Sequence, residues 1–362
     1  MQGEHDIKNV FYGAHESVAS LLDAASEVCD KGIRVYGAIL CAADEFPVLI
    51  DRLGSSRACA RGISTTDGSP SLIRIPWSQG DNTEKPLKMF FWVEDTTKVA
   101  YFLSCQDRES FERCLATTYH YLSSHTSRVF LRTKEIRRAL TQLAHLREDM
   151  SIRVREFVAR GLIDDPDSVK KVRTSREWTD EDYLVVFDQL REENKWLSSL
   201  RLEVRAEKVC GGRIWKDASF SCDTGLQSFV VSVVKSLTDA VNRSRDFFTN
   251  RSSSSSPTGK PRPVSIEYAD DVFSEKAQVS RLLGVLDKLS QSALSVYHHN
   301  PYLHASLIDY ADGSNFDIWV TRQDGILIMP KRKGTHRSMQ RVCDRICDQF
   351  EEGDVRDFQP YE

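Results

Sequence analysis

Between Arg251 and Pro263 the chain reads RSSSSSPTGKPRP, a run that offers almost nothing to a hydrophobic core. Five serines followed by Pro, Gly and basic residues cannot bury enough surface to offset the entropy of ordering, so the tract is expected to be a disordered tether. A protease should cut there first and release a C-terminal piece of about one hundred residues. The 362 residues must therefore build separate cores on its two sides. A weaker break falls at Asp164–Arg176, where Pro166 sits in a polar, charged run.

Outside these breaks one pattern recurs: paired strands followed by an amphipathic helix. Lys88–Asp95 and Lys98–Cys105 read as strands joined at Thr96 and Thr97, and Phe111, Cys114, Leu115, Thr118 and Leu122 mark the next helix. Further on, Leu200, Leu202, Val204 and Ala206 alternate with charged residues, as in a half-buried strand. A turn at Gly211–Gly212 is expected to lead into Arg213–Cys222, and Leu226, Phe229, Val230, Val233, Leu237 and Val241 then have helical spacing.

The third case is the most regular. Tyr302–Tyr310, Phe316–Thr321 and Gly325–Pro330 predict a meander with turns at Asp312–Gly313 and Asp324–Gly325. Thr335 is placed to cap a closing helix whose inner face is Met339, Val342, Cys343, Ile346, Cys347 and Phe350. A long helix over roughly Ser274–His298 is expected ahead of the meander, with Val279, Leu282, Leu283, Leu286, Leu289, Ala293 and Val296 inward. Met150–Leu162 fits a helix better than a strand, although Ile152 and Val154 alternate. Trp178 and Trp196 flank a helical stretch with Tyr183, Val186, Phe187 and Leu190 on one side, read as a core helix.

The expected class is α+β, with antiparallel sheets flanked by helices in three sheet-plus-helix units. The expected layout is an N-terminal helical segment (1–30), a first unit (31–125), a helical connector (126–178), a second unit (179–250), the linker (251–263) and a third unit (264–362). Trp319 is expected on a strand of the last sheet, packed against a helix face that includes Leu283 or Ile346.

Chemistry is harder to find. A net charge of −4 gives no global attraction to nucleic acid. Nine cysteines, an odd number with no CxxC pair, fit reduced thiols better than a disulfide framework. Met1–Gly13 lacks the apolar core of a secretory signal, so a cytoplasmic location is expected. No phosphate-cradling glycine motif and no zinc-type spacing is present, so no cofactor and no metal ligand is assigned. His298, His299 and His304, beside Asp309, Asp312 and Asp317, could serve a metal-dependent enzyme, but turn and helix-end roles account for them. Cys343 and Cys347 fit buried packing. Lys331, Arg332 and Lys333 lead into a helix with Arg337 and Arg341, a possible contact for anionic membrane or an acidic partner.

Ala38–Gly54, AILCAADEFPVLIDRLG, resembles the opening hairpin of a longin domain: an apolar strand, an acidic turn and a PV-led second strand. Met89–Val93, Ala100–Cys105, the Phe111–Leu122 helix and a Thr133–Leu146 helix with Ile136, Leu140 and Leu143 inward continue in longin order. Arg281–Gly284, Trp319–Thr321 and the closing helix running to Glu351–Glu352 and Phe358 are similar to a last longin domain. Together these resemble the triple-longin-domain subunits of Rab guanine nucleotide exchange factors, the group that holds the monensin-sensitivity subunit of the Mon–Ccz complex and Fuzzy. The resemblance implies a heterodimer with a second longin-domain subunit, a Rab-family GTPase as substrate, and peripheral recruitment to membranes in vesicle traffic or ciliary assembly. A plain longin-type adaptor is the alternative. A longin helix is missing from Ser55–Pro70, so an apolar face or edge is expected to need either a partner or the stripe Val18, Leu21, Leu22, Ala25 and Val28.

Overall fold

The computed structural model describes residues 2–42, 46–55, 64–66, 69–77, 87–94, 96–123, 125–146, 150–161, 169–173, 187–190, 192–193, 195–249, 261–300 and 302–358. The protein is mixed α+β, with antiparallel sheets flanked by helices. It forms two compact units whose main boundary falls between Asn242 and Arg243.

The first unit is organised around β1, Val35–Ala42, an apolar run buried at every position. Its residues alternate between two cores: Val35, Ile39 and Cys41 enter one, and Tyr36, Ala38, Leu40 and Ala42 the other. Such double burial marks a central strand. The sheet around it runs β2 (Ser64–Thr66), β3 (Ser69–Trp77), β4 (Leu87–Glu94), β5 (Val99–Ser104), β1, β11 (Ser219–Thr224), β10 (Val209–Trp215), β9 (Trp196–Arg205), β7 (Ser151–Arg160) and β8 (Val169–Arg173). One edge of β1 is shared: Val35–Ala38 pair with β11, and Leu40–Ala42 pair with β6 (Thr126–Arg128). The first and second expected units thus contribute to one continuous sheet.

Helices cover this sheet. Residues of α1 (Gln2–Tyr12) and α2 (Val18–Asp30) share a core with α5 (Thr133–Ala144) and with the helical segment 226–249, here α6. The α2 stripe of Leu21, Leu22, Ala25 and Val28 is buried there with Ile39, Leu72 and Leu103. The chain's own N-terminal helices therefore cover the face that was expected to need a cover. On the opposite face, α3 (Phe46–Gly54) and α4 (Arg108–Leu122) pack over β1, β3, β4 and β5. All five residues expected on the inner side of α4 are buried, and Asp107 caps it.

Several expectations are corrected. Phe46–Gly54 is a helix, not the second strand of a hairpin; Phe46, Leu49 and Leu53 have helical spacing, and Pro47 suits a first turn. The region 126–178 is no helical connector: beyond α5 it carries β7 and β8. Within Met150–Leu162 the described residues hold the strand β7, Ser151–Arg160, and a bulge between Val154 and Glu156 separates buried Val154 and Phe157 by three residues, imitating a helix. Gly211–Gly212 make no turn; they lie inside β10, where a Cβ on Gly212 would collide with the Ser221 carbonyl and stand 3.0 Å from the Phe229 ring. α6 holds a π turn at Val230–Val234, which buries both Val233 and Val234. Of the stretch between Trp178 and Trp196, the described helical turn includes buried Phe187 and Leu190; Trp196 itself is buried in β9.

The second unit has a sheet ordered β13 (Ser292–His298), β14 (Leu303–Asp309), β15 (Ser314–Arg322), β16 (Gly325–Pro330), β12 (Val264–Glu267) and β17 (Asp354–Asp357). The meander strands are as expected and Gly313 takes the left-handed φ of +76° that its turn needs, but the second turn falls at Gln323–Asp324, one residue before the expected Asp324–Gly325, with Gly325 already in β16 and paired with Arg322. Thr335 caps α8 (His336–Gln349) through Ser338 N–H, and Met339, Val342, Cys343, Ile346, Cys347 and Phe350 are buried. The long helix is a correction: α7 spans Lys276–Asp287, and the chain then turns into β13. Trp319 lies on β15 as expected, but it faces away from buried Phe316, Ile318 and Val320. Its half-buried ring stacks on His304 at 3.6 Å instead of on a helix. The linker expectation falls outside the described residues, apart from 261–263.

Candidate functional site

The alternation in β7, β9, β10 and β11 sends Ile152, Val154, Leu200, Leu202, Val204, Ile214 and Cys222 into the core. Its other side is charged. Strand register brings Arg153 opposite Glu203, Glu156 opposite Arg201, and Arg201 opposite Arg213. Arg155 and Arg205 both donate to Glu203, at 2.6 and 2.7 Å. Arg201 donates to Asp223 at 2.8 Å, and Arg34 donates to the same carboxylate. Arg213 pairs with Glu156 and reaches Ser199 at 2.9 Å.

Among the described residues, Arg34, Arg155, Arg201, Arg205 and Arg213 thus pair with the three carboxylates of Glu156, Glu203 and Asp223, and Arg153 stands opposite Glu203. Hydrogen bonds from Arg155, then Arg205, hold the Glu203 carboxyl below its ordinary range. The side chains of Arg34, Arg155, Arg201 and Arg205 remain 50%, 38%, 46% and 44% exposed. The helices α3 and α4, which cover the β1–β5 half of this side, share their core with none of β7, β9 or β10.

A groove of about 270 Å³ adjoins the ladder where α4 meets the β10–β11 turn, lined by Tyr36, Arg108, Phe111, Arg128, Trp215 and Asp217 among others. Trp215 joins the two features: the Arg108 guanidinium lies 4.8 Å over its ring, and that of Arg213 6.0 Å. Tyr36 and Phe111 stack beneath, 6.0 Å apart. Planar guanidinium forks beside aromatic rings recognise carboxylates and phosphates through paired hydrogen bonds.

The residues proposed from sequence lie in the second unit and are dispersed. Arg341 is a correction: it forms a buried pair with Asp309, the two side chains 12% and 1% exposed, and is not free to meet a membrane. Lys331 is engaged by Asp317 at 2.7 Å. Arg332 and Lys333 are exposed and Arg337 is half-buried. The three aspartates do not converge: Asp309 holds Arg341, Asp312 accepts from Ser338 Oγ at 2.7 Å, and Asp317 holds Lys331 with His304 at 3.5 Å. His298 lies against Tyr302, 4.4 Å between ring centres. Among the described residues no three His, Cys, Asp or Glu side chains gather as a metal site. Eight cysteines are described, all buried and none of them in a disulfide, Cys343 and Cys347 among them.

Sequence reasoning saw the charged side of β9 but missed the ladder, since cross-strand register decides which arginines join it. No helix among the described residues is long and apolar enough to cross a membrane. No protein-family model matches the chain, and no curated protein matches it.

Proposed function

We propose that the chain is one subunit of a heteromeric guanine nucleotide exchange factor for a Rab-family GTPase, acting from the cytoplasm at membrane surfaces. The longin resemblance supports the class, and the arginine ladder is the observation that carries a docking role. Exchange needs no covalent step. A factor that binds the nucleotide-free GTPase more tightly than the loaded form weakens nucleotide binding by the same free energy. An acidic partner surface laid on the ladder would meet the exposed guanidinium groups of Arg34, Arg155, Arg201 and Arg205, with Trp215 available as an aromatic anchor. Exposed Arg332 and Lys333 are the residues of the basic tract best placed for peripheral contact with anionic lipid.

Tagged full-length chain, recovered from cells with whatever copurifies, gives the test. Mass spectrometry should find a second longin-type subunit and a small GTPase, and the complex should accelerate release of a fluorescent guanine nucleotide. The paired change Arg201→Glu and Arg205→Glu should lose the acidic partner while circular dichroism stays unchanged. Partners without accelerated release would favour the adaptor function. Recovery of the same partners by the charge-reversed chain would remove the ladder from the account.

A further inference from the structure

The buried stripe of α2 ends in a thiol. Leu21, Ala25 and Cys29 succeed one another at four-residue spacing on the helix face that meets the sheet. On β11, alternation sends Phe220 and Cys222 into the same core. The two cysteines stand 193 residues apart in sequence, yet their Sγ atoms are 3.9 Å apart. Cys29 Sγ also lies 3.6 Å from the Cys222 carbonyl oxygen. Both are buried and neither is in a disulfide. Their cover is thin. Asp30, next to Cys29, is exposed, and so is Thr224, two residues beyond Cys222. The two segments meet there through the Gly225 N–H, which donates to Asp30 Oδ1 at 3.3 Å.

The thiols of this core are not equivalent. Burial pushes the Cys105 thiol up to about 12 and the Cys210 thiol up to about 11, so both stay protonated. In Cys29, hydrogen bonding from Cys222 outweighs burial and holds the pKa below the ordinary thiol value. The same hydrogen bond, together with burial, raises Cys222. Thiolate, the nucleophilic form, therefore gathers on Cys29 with a protonated thiol in contact with it.

We infer that Cys29 and Cys222 form a peroxide-sensitive dithiol whose disulfide clasps α2 to β11. Hydrogen peroxide is little larger than water, and fraying of the last turn of α2 admits it. The Cys29 thiolate attacks one peroxide oxygen, the O–O bond breaks, and the departing hydroxide takes up a proton to become water. Cys29 is left as a sulfenic acid. The Cys222 sulfur then attacks the Cys29 sulfur, the S–O bond breaks, and the hydroxyl leaves as water with the Cys222 proton. Two thiols and one peroxide thus become one disulfide and two waters. To bond, the sulfurs must close by roughly 2 Å, about what one Cβ–Sγ bond sweeps on changing rotamer. The product ties the N-terminal cover to the strand that pairs with β1, so oxidation restrains α2 from lifting off the sheet. The inference does not depend on the exchange function.

The full chain, treated with hydrogen peroxide, blocked with iodoacetamide and digested without reductant, gives the test. Mass spectrometry should find a peptide joining Cys29 to Cys222, and dithiothreitol should abolish it. Amide hydrogen exchange over α2 should slow in the oxidised chain and return on reduction, with circular dichroism unchanged throughout. Cys105→Ala should form the link as the unmodified chain does. In Cys29→Ala, Cys222 should remain a thiol under the same treatment. Mapping of the unmodified chain decides the matter even where a variant fails to fold. Both cysteines left as thiols by peroxide, a link from Cys29 to Cys105 in place of Cys222, or exchange over α2 unaltered by the link would each overturn the inference.

Discussion

Gly37 on β1 faces Phe220 on β11 across the seam where two groups of strands become one sheet. The Phe220 ring occupies the space a Cβ on Gly37 would need. Gly37 has an ordinary strand backbone, so it is required for room and not for a left-handed turn. Gly37→Ala should therefore overpack the seam and cost about 1–3 kcal/mol. Urea unfolding should show a lower midpoint with an unchanged slope. An unchanged midpoint would mean that the ring turns aside freely.

Arg341 and Asp309 make the most buried ion pair of the second unit described here. Arg341→Met should cost about 3–5 kcal/mol, because it strands a carboxylate away from water. Adding Asp309→Asn should restore part of the loss, since the stranded charge is then gone. Thermal unfolding of the single and double variants checks this. Equal stability of Arg341→Met and the unmodified chain would show that solvent reaches Asp309.

Trp319 stacks on His304 outside the buried rows of β15. Trp319→Ala should therefore cost less than the roughly 3–5 kcal/mol of a core tryptophan. The stack itself should supply about 0.5–1.5 kcal/mol of the loss. A loss at the core level in urea unfolding would place the ring inside a packed interior.

The legible parts of this fold are those where one period runs uninterrupted between punctuation marks. α4 shows all five inward residues between the Asp107 cap and Ser123, and the β14–β16 meander is marked by the Asp312–Gly313 turn and by Asp324 in the next one. Reading failed where a single residue changes the phase. In β7 the bulge after Val154 makes a strand count like a helix. After α7, the spacing Leu286, Leu289, Ala293, Val296 continues a helix through Gln291, whose φ of 58° breaks it. The ladder was half legible: Arg201, Glu203 and Arg205 alternate in plain view. The other members come from pairings such as Arg155 with Glu203, 48 residues apart, and Arg34 with Asp223, 189 apart. No local pattern encodes those distances.

Glu351, just beyond α8, connects stability to pH. Burial pushes its pKa up from 4.5 to about 7, with Arg281 opposing the shift and Asp270 adding to it. An acid raised in this way holds its proton more tightly folded than unfolded. Its contribution is complete below pH 4.5, declines as pH rises towards about 7, and is absent above that. Partial solvent access screens the effect, so the decline should amount to about 1–2 kcal/mol at most. Glu351→Gln carries no proton to lose, and its stability should fall less across that window and exceed the unmodified chain's above it. Asp107, Glu203 and Asp312 have lowered pKa values and act with the opposite sign at more acidic pH. Their slopes are common to both proteins and cancel in the difference. Urea unfolding at pH 4.5, 6 and 7.5 measures that difference. Parallel pH curves for the two proteins would show that Glu351 titrates as an ordinary surface carboxylate.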